Sequence, residues 1–177
     1  MHFLPVFLDL TEGVVGLVGA GPAALNKLRL LRAAGARVRW YSKDIDVAEE
    51  MLTAALSGPL EISFADPRQA DFVDCIAVVS AAGDALDDDI AALARSRHVP
   101  VNVVDRPELS TFIFPAIVDR GDVVIAIATG GTSPVLARRL RERIEALLPA
   151  RIGDLAALMG RFRVRAEIGR ASCRERV

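Results

Sequence analysis

The sequence predicts an α/β fold built around a parallel β-sheet. Short apolar runs alternate with longer amphipathic segments, a glycine-rich loop follows the first apolar run, and 52% of the 177 residues are hydrophobic. Strands that alternate with helices form parallel sheets through right-handed crossovers. Aromatic residues make up only 5% of the chain, so the core is expected to be aliphatic, as in sheets buried on both faces.

The apolar runs are the predicted strands, and the segments between them are the predicted helices. Strands are predicted at 13–20 (GVVGLVGA), 36–42 (ARVRWYS), 72–82 (FVDCIAVVSAA) and 99–105 (VPVNVVD), with a further short strand at 60–66 (LEISFAD). Helices are predicted at 22–35, 46–58 and 84–97. The pattern then changes to two extended segments within 111–131, which suggest a hairpin, followed by helices at 133–149 and 150–166.

The loop after the first predicted strand has the spacing of a dinucleotide-binding motif. Gly19, Gly21 and Ala24 form G-x-G-x-x-A where the strand ends and a helix begins. The first glycine would permit the tight turn, the second the approach of a pyrophosphate, and the alanine close helix packing. The sequence therefore predicts a Rossmann-like sheet with phosphates at the helix N-terminus, although glycines that serve only a tight turn are the simpler alternative.

An acidic residue about 20 positions further on usually binds the ribose hydroxyls in such sites. Asp44 is the candidate here, and Lys43 lies beside it. Aspartate favours NAD, whereas lysine would tolerate a 2′-phosphate, so the sequence leaves the choice of cofactor open.

Asp105 ends the apolar run VPVNVVD and is followed at once by Arg106 and Pro107. Ligands of open parallel sheets bind outside the carboxyl ends of the strands. A carboxylate there would be partly desolvated, which would raise its pKa toward the range of a general base. The alternative is an aspartate that caps the following turn. Asn102 is expected on the other side of the strand, in packing or a hydrogen bond.

The segment ATGGTSPVLARRL carries a third signal. Ser133 is predicted to cap a helix, with Pro134 in its first position. The preceding residues Thr129, Gly130, Gly131 and Thr132 would offer exposed amides to an anion such as an acidic substrate. Eight arginines between residues 138 and 165 are either a solvated helix face or a surface for an acidic ligand.

Composition argues against several function classes. The net charge of −1 predicts neither nucleic-acid nor anionic-membrane binding, and no apolar run approaches the length of a membrane span. Two unrelated cysteines favour a reducing, cytoplasmic location. No cluster of side chains predicts a fixed metal site. His98 is expected at the surface, and Cys75 is expected to be buried.

Taken together, FLPVFLDL, the G-x-G-x-x-A loop, NVVDRPELSTFIFPA and ATGGTSPVLARRLRERIEALLP resemble the precorrin-2 dehydrogenase and sirohydrochlorin ferrochelatase module of siroheme synthases. The resemblance covers residues 2 to about 166. It implies NAD-dependent oxidation of precorrin-2 to sirohydrochlorin, and also the insertion of ferrous iron, a substrate, to give siroheme.

The resemblance also implies roles for particular residues. Asp105 would be the general base or acid of both steps. The cofactor would contact Pro22, Ala23, Lys43 and Asp44. The substrate would contact the segment from Thr129 to Ser133.

Four segments are expected along the chain. They are an NAD-binding domain over 1–113, a dimerisation segment of a homodimer over 114–148, the start of a helical substrate-side domain over 149–166, and a tail over 167–177. The tail, EIGRASCRERV, matches the translation of a common sequencing-adapter read, so we expect an artefact and a natural chain cut after about Ala166. The alternative function is a non-catalytic dinucleotide-sensing domain, for which Asp105 would have no special role.

Overall fold

The computed structural model describes residues 3–42 and 60–174, with side chains through residue 163. The strands are β1 (Val14–Val18), β2 (Arg37–Tyr41), β3 (Leu60–Ser63), β4 (Cys75–Ser80), β5 (Val101–Val103), β6 (Ala116–Arg120) and β7 (Val123–Ile127). The helices are α1 (Gly21–Ala33), α2 (Leu86–Ser96), α3 (Pro134–Leu147) and α4 (Ile152–Arg174). The helix predicted at 46–58 lies outside the described residues.

Five strands form one parallel sheet in the order β3-β2-β1-β4-β5. The chain moves outward from β1 to β2 and β3, then crosses to the other side of β1 to form β4 and β5. The carboxyl ends of β1 and β4 therefore flank the point where the strand order reverses, which is where such sheets bind their ligands. The predicted α/β fold with a Rossmann-like parallel sheet is confirmed.

The core of this first unit, Val6–Ile113, is largely aliphatic, as predicted. Helix α1 buries Ala24, Leu25, Leu28 and Leu31, which recur every three or four residues and so form one stripe of the helix. Ala24 is fully buried, in agreement with the packing role expected from the glycine motif.

A second compact unit begins at Phe114 and also includes the first residues of the chain. Strands β6 and β7 form the predicted antiparallel hairpin, whose turn contains Gly121 at a φ of 70°. In α3, Ala137 is the buried residue among those described. The apolar stripe of the helix, which includes Leu136, Leu140 and Leu147, is exposed. Over the described residues, no helix combines the length and the hydropathy needed to cross a membrane.

Candidate nucleotide site at the carboxyl edge of the sheet

Gly19 is held by backbone and side-chain contacts on both sides. Its N–H donates to the Tyr41 carbonyl at 3.2 Å, and its carbonyl accepts from the Trp40 indole nitrogen at 2.7 Å. Its φ is 106°, and a Cβ added there would lie 2.7 Å from the Ala82 nitrogen. Glycine is therefore required here both for the turn and for the close approach of the chain after β4.

Gly21 differs from Gly19 because it faces open space. Its φ is 82°, and no described atom lies within 4 Å of a Cβ built there. It is the first residue of α1, and the preceding Ala20 has no side chain that could cap the helix. No acidic residue lies in the first turn, and Pro22 and Ala23 are exposed. This uncapped N-terminus with space at the glycine fits the pyrophosphate of a dinucleotide.

The predicted ribose contacts, Lys43 and Asp44, lie outside the described residues. Tyr41 and Ser42 are the last residues described at the carboxyl end of β2, and both are buried. Ser42 donates its N–H to the Ser63 carbonyl at 3.2 Å, so the backbone stays paired to the carboxyl end of β3.

Asp105 lies beyond the end of β5 and is exposed, so the expected partial desolvation of its carboxylate is wrong for this chain. The strand ends two residues earlier, at Val103, and the chain then turns, with Arg106 N–H donating to the Val103 carbonyl at 3.2 Å. Asp105 itself has a φ of 59°, in the left-handed region that few residues other than glycine, asparagine and aspartate adopt.

Neither expectation for the Asp105 carboxylate is supported by its contacts. No other described residue donates a hydrogen bond to it, so it does not cap the turn. The turn is instead stabilised by Ser110, whose hydroxyl accepts from Val103 N–H at 2.9 Å and lies 3.0 Å from the Arg106 carbonyl. The Asp105 carboxylate is therefore presented to solvent at the edge of the sheet where ligands bind.

Lys27 is a charged residue at this site that the sequence analysis missed. It is half-buried on α1 and neighbours the buried stripe. Burial lowers the pKa of its ammonium, and the negative charge of Asp105 opposes that shift. The electrostatic interaction places a cation from the glycine-loop helix near Asp105. The sequence feature that could have indicated Lys27 is its position, three residues after Ala24 and four before Leu31, beside an otherwise apolar stripe of the helix.

Asn102 takes the structural role expected for it. It is buried on β5, and its side-chain amide donates to the Phe112 carbonyl at 2.9 Å. This hydrogen bond holds the chain at Phe112, one residue before the first unit ends.

The loop from Thr129 to Ser133 belongs to the second unit and is closed by its own hydrogen bonds. The Thr129 hydroxyl accepts from Ser133 N–H at 3.2 Å, and the Thr129 carbonyl accepts from Thr132 N–H at 3.1 Å. Ser133 caps α3 as predicted, accepting from Leu136 N–H at 3.2 Å, with Pro134 in the first position. The amides of Gly130 and Gly131, both at positive φ, are the ones left for an anion.

Two further residues considered in the sequence analysis, His98 and Cys75, do not contribute to the candidate nucleotide site. His98 is exposed, as expected. Cys75 is a buried free thiol, and burial raises its pKa to about 11. Within the described ranges, no group of three or more His, Cys, Asp and Glu side chains is arranged to hold a metal ion.

A family model described as "Putative NAD(P)-binding" matches residues 6–116. A second, described as "Sirohaem biosynthesis protein central", matches residues 120–147.

Curated relatives include the siroheme synthase of Pseudomonas putida strain F1, which is 44% identical over 164 residues. That alignment covers 92% of this chain and 35% of the relative. The siroheme synthase of Nitrosomonas europaea is 40% identical over 165 residues, which are 92% of this chain and 34% of the relative. The chain thus spans about a third of the length of these relatives.

Among solved structures, SirC, a precorrin-2 dehydrogenase, superposes with a TM-score of 0.69 at 22% sequence identity. The match covers 92% of this chain and 79% of SirC, and at this identity it establishes similarity of fold. Together the comparisons confirm the resemblance that the sequence motifs suggested.

Proposed function

Since this chain belongs to the NAD(P)-binding family whose model matches residues 6–116, we propose that it oxidises precorrin-2 to sirohydrochlorin with NAD as the hydride acceptor. One observation carries the proposal: a glycine loop open at Gly21 and an accessible carboxylate, Asp105, lie at the carboxyl edge of the same parallel sheet. A dehydrogenase needs both of these features, a cofactor site and a group that accepts a proton.

The cofactor would be held by the loop and the first turn of α1. Gly19 fixes the loop against its neighbours, Gly21 leaves space for the pyrophosphate, and Pro22 and Ala23 line the exposed start of the helix. The aligned peptide dipoles and uncapped N–H groups of α1 favour negative charge at this end. When bound, NAD supplies the hydride acceptor. The remaining proposed contacts are Lys43 and Asp44.

Asp105 is the proposed general base. Oxidation of precorrin-2 removes a hydride and a proton, and an exposed carboxylate at the ligand edge has free lone pairs for that proton. Lys27 contributes a positive charge to the same part of the site.

The substrate carries several carboxylates, for which the amides of Gly130 and Gly131 and the loop residues Thr129, Thr132 and Ser133 are the proposed contacts. The same Asp105 would take protons from the pyrrole nitrogens in a second reaction, the insertion of ferrous iron into sirohydrochlorin. Iron is then a substrate rather than a resident cofactor.

A homodimer is the proposed assembly. Leu136, Leu140 and Leu147, which share one face of α3, are 51%, 36% and 81% exposed. An apolar stripe of this kind on a regular helix is typical of a surface that a partner covers. A second copy is proposed because residues 114–148 would form the dimerisation segment. Residues 1–113 would bind NAD, and residues 149–166 would begin the substrate-side domain. The proposed location is the cytoplasm.

The test is an anaerobic assay of precorrin-2 with NAD, in which NADH formation is followed. We expect turnover by the wild-type chain and a loss of roughly 10²- to 10⁴-fold in Asp105→Asn, the usual contribution of a positioned acid or base. The matched control is Asp71→Asn, which neutralises an exposed carboxylate before β4, at the opposite edge of the sheet.

Two results would contradict the proposal. If Asp105→Asn turned over as fast as Asp71→Asn, the carboxylate would not be the base. If NAD bound but no NADH formed in the wild type, the dinucleotide-sensing alternative would replace the dehydrogenase.

A further inference from the structure

Asp87 is a buried carboxylate in the first turn of α2 that the proposed mechanism does not use. It is 1% exposed, and it accepts three hydrogen bonds. The Ser80 hydroxyl and Ala82 N–H donate to its Oδ1 at 2.6 and 3.2 Å, and Gly83 N–H donates to its Oδ2 at 2.9 Å. Because all three partners are donors, both carboxylate oxygens act as acceptors.

The three donors belong to the end of β4 and the loop that follows it. This loop runs beside the end of β1, where Ala81 N–H donates to the Val18 carbonyl at 2.8 Å. Its backbone is packed against Gly19 so closely that a Cβ there would lie 2.5 Å from the Ala81 carbonyl carbon. Asp87 therefore binds the segment that forms one wall of the glycine loop.

The other wall of the loop does not depend on Asp87. Gly19 is bonded there to the backbone of Tyr41 and the side chain of Trp40, both on β2. Loss of the Asp87 bonds would thus leave the sheet paired and the loop attached on one side. The expected consequence is a displaced loop rather than an unfolded one.

We propose that Asp87 is a positioning residue for the dinucleotide: it holds residues 81–83 against Gly19 and so keeps the loop in the conformation that receives the pyrophosphate. The inference rests on the proposed NAD site. It predicts that Asp87 acts on cofactor affinity, while the proton transfer assigned to Asp105 is unaffected.

The geometry explains why a carboxylate suits this position. An asparagine could still accept from Ser80 and Ala82 through one oxygen, but its amide nitrogen would then face the Gly83 N–H, and two donors would oppose each other. Asp87→Asn is therefore the most conservative change that breaks the set.

The test measures NAD binding by titration calorimetry in the 177-residue chain, with NAD itself as the probe. We expect Asp87→Asn to raise the Kd for NAD by about tenfold, the ratio that corresponds to about 1.4 kcal/mol. Ser80→Ala removes one of the three bonds, should fold even if the first variant does not, and should raise the Kd by a smaller factor of about two to five.

The matched control is Ile90→Val, which lies in the same helix, is fully buried, and touches none of the loop bonds. It destabilises α2 without moving residues 81–83, so its Kd for NAD should equal that of the wild type. A second readout is steady-state turnover, in which Asp87→Asn should raise the KM for NAD and leave kcat at saturating NAD within about twofold.

The outcomes separate this inference from the proposed function. Failure of the wild-type chain to bind NAD would refute both. Wild-type affinity in Asp87→Asn and Ser80→Ala, or an equal loss in Ile90→Val, would refute the positioning role alone, because the residue would then contribute only to the stability of the fold.

Discussion

The two glycines of the loop should respond differently to the same substitution, because only one of them faces protein. Gly19→Ala meets two costs in the folded state. The φ of 106° is strained for any residue with a Cβ, and the new methyl carbon would lie 2.5 Å from the Ala81 carbonyl carbon. Gly21→Ala meets only the first cost, since no described atom lies within 4 Å of its Cβ position.

The magnitudes follow from these contacts. Backbone strain of this kind costs about 1 to 3 kcal/mol, and forced overpacking adds about 1 to 3 kcal/mol, so Gly19→Ala should lose roughly 2 to 6 kcal/mol of the free energy of unfolding. With a urea dependence of about 2 kcal/mol per molar, the unfolding midpoint should fall by about 1 to 3 M. Gly21→Ala meets the backbone strain alone and should lose about 1 to 3 kcal/mol.

The assay is urea unfolding followed by tryptophan fluorescence. The chain contains a single tryptophan, Trp40, which is 1% exposed and donates directly to the Gly19 carbonyl, so its emission reports on this loop. The affinity for NAD should show the opposite order: among variants that fold, Gly21→Ala should have the larger effect. Its methyl group fills the space proposed for the pyrophosphate and should raise the Kd for NAD by at least about tenfold.

Equal unfolding midpoints for the two alanine variants would refute this reasoning. So would a Gly19→Ala variant as stable as the wild type, because the close approach of Ala81 would then not constrain the loop. Unchanged NAD affinity in Gly21→Ala would remove the pyrophosphate from the N-terminus of α1.

Three further predictions concern the same unit. Arg39 holds the pKa of the Asp74 carboxyl below its usual value of 3.8, so this contact stabilises the fold above that pH and is lost as the pH falls through the lowered pKa. Asp74→Asn should therefore cost about 0.2 to 1 kcal/mol at pH 7, near the low end because the side chain is half exposed. The difference in urea midpoint from the wild type should shrink as the pH falls below 3.8 and vanish once Asp74 is protonated in the folded protein. Cys75, whose pKa is raised to about 11 by burial, should resist alkylation at pH 8 in the native protein and react once urea unfolds the chain. Mass spectrometry of the peptide that contains Cys75 would measure the labelling, and rapid labelling of the native protein would contradict its burial. Asn102→Ala removes the side-chain hydrogen bond to the Phe112 carbonyl and should lower the free energy of unfolding by about 1 to 3 kcal/mol in urea titrations, whereas no change would mean that water replaces the bond.

Much of the fold follows from local patterns in the sequence. The strands β1, β4 and β5 lie in largely apolar runs, and β2 alternates arginine with apolar residues before Trp40 and Tyr41. Alternation of these strands with helices is sufficient to predict their parallel arrangement. The β6–β7 hairpin was also predictable, since two apolar runs flank the turn residues around Gly121.

The site was less predictable, because it depends on where a strand stops rather than on where it begins. The apolar pattern of VPVNVVD continues to Asp105, but pairing ends at Val103 and the chain turns through a left-handed residue. A sequence pattern reports which residues are apolar and does not report the last hydrogen bond of a ladder, so the carboxylate was expected to be partly buried and is exposed.

Contacts between residues far apart in the sequence were also not predicted. The proximity of Lys27 to Asp105, and the bonds of Asp87 to the loop after β4, arise from the packing of α1 and α2 against the sheet. Neither follows from spacing along the chain. The apolar stripe of α3 was visible in the sequence, but the pattern alone could not distinguish burial within one chain from a surface that remains exposed.

The most direct test of the proposed dehydrogenase is the stoichiometry of its products. The purified chain would be given precorrin-2 and NAD without oxygen or iron, and NADH and sirohydrochlorin would be quantified in the same sample. The proposal predicts that both products rise together, with one NADH for each sirohydrochlorin formed. Sirohydrochlorin without NADH, or NAD binding without either product, would contradict it.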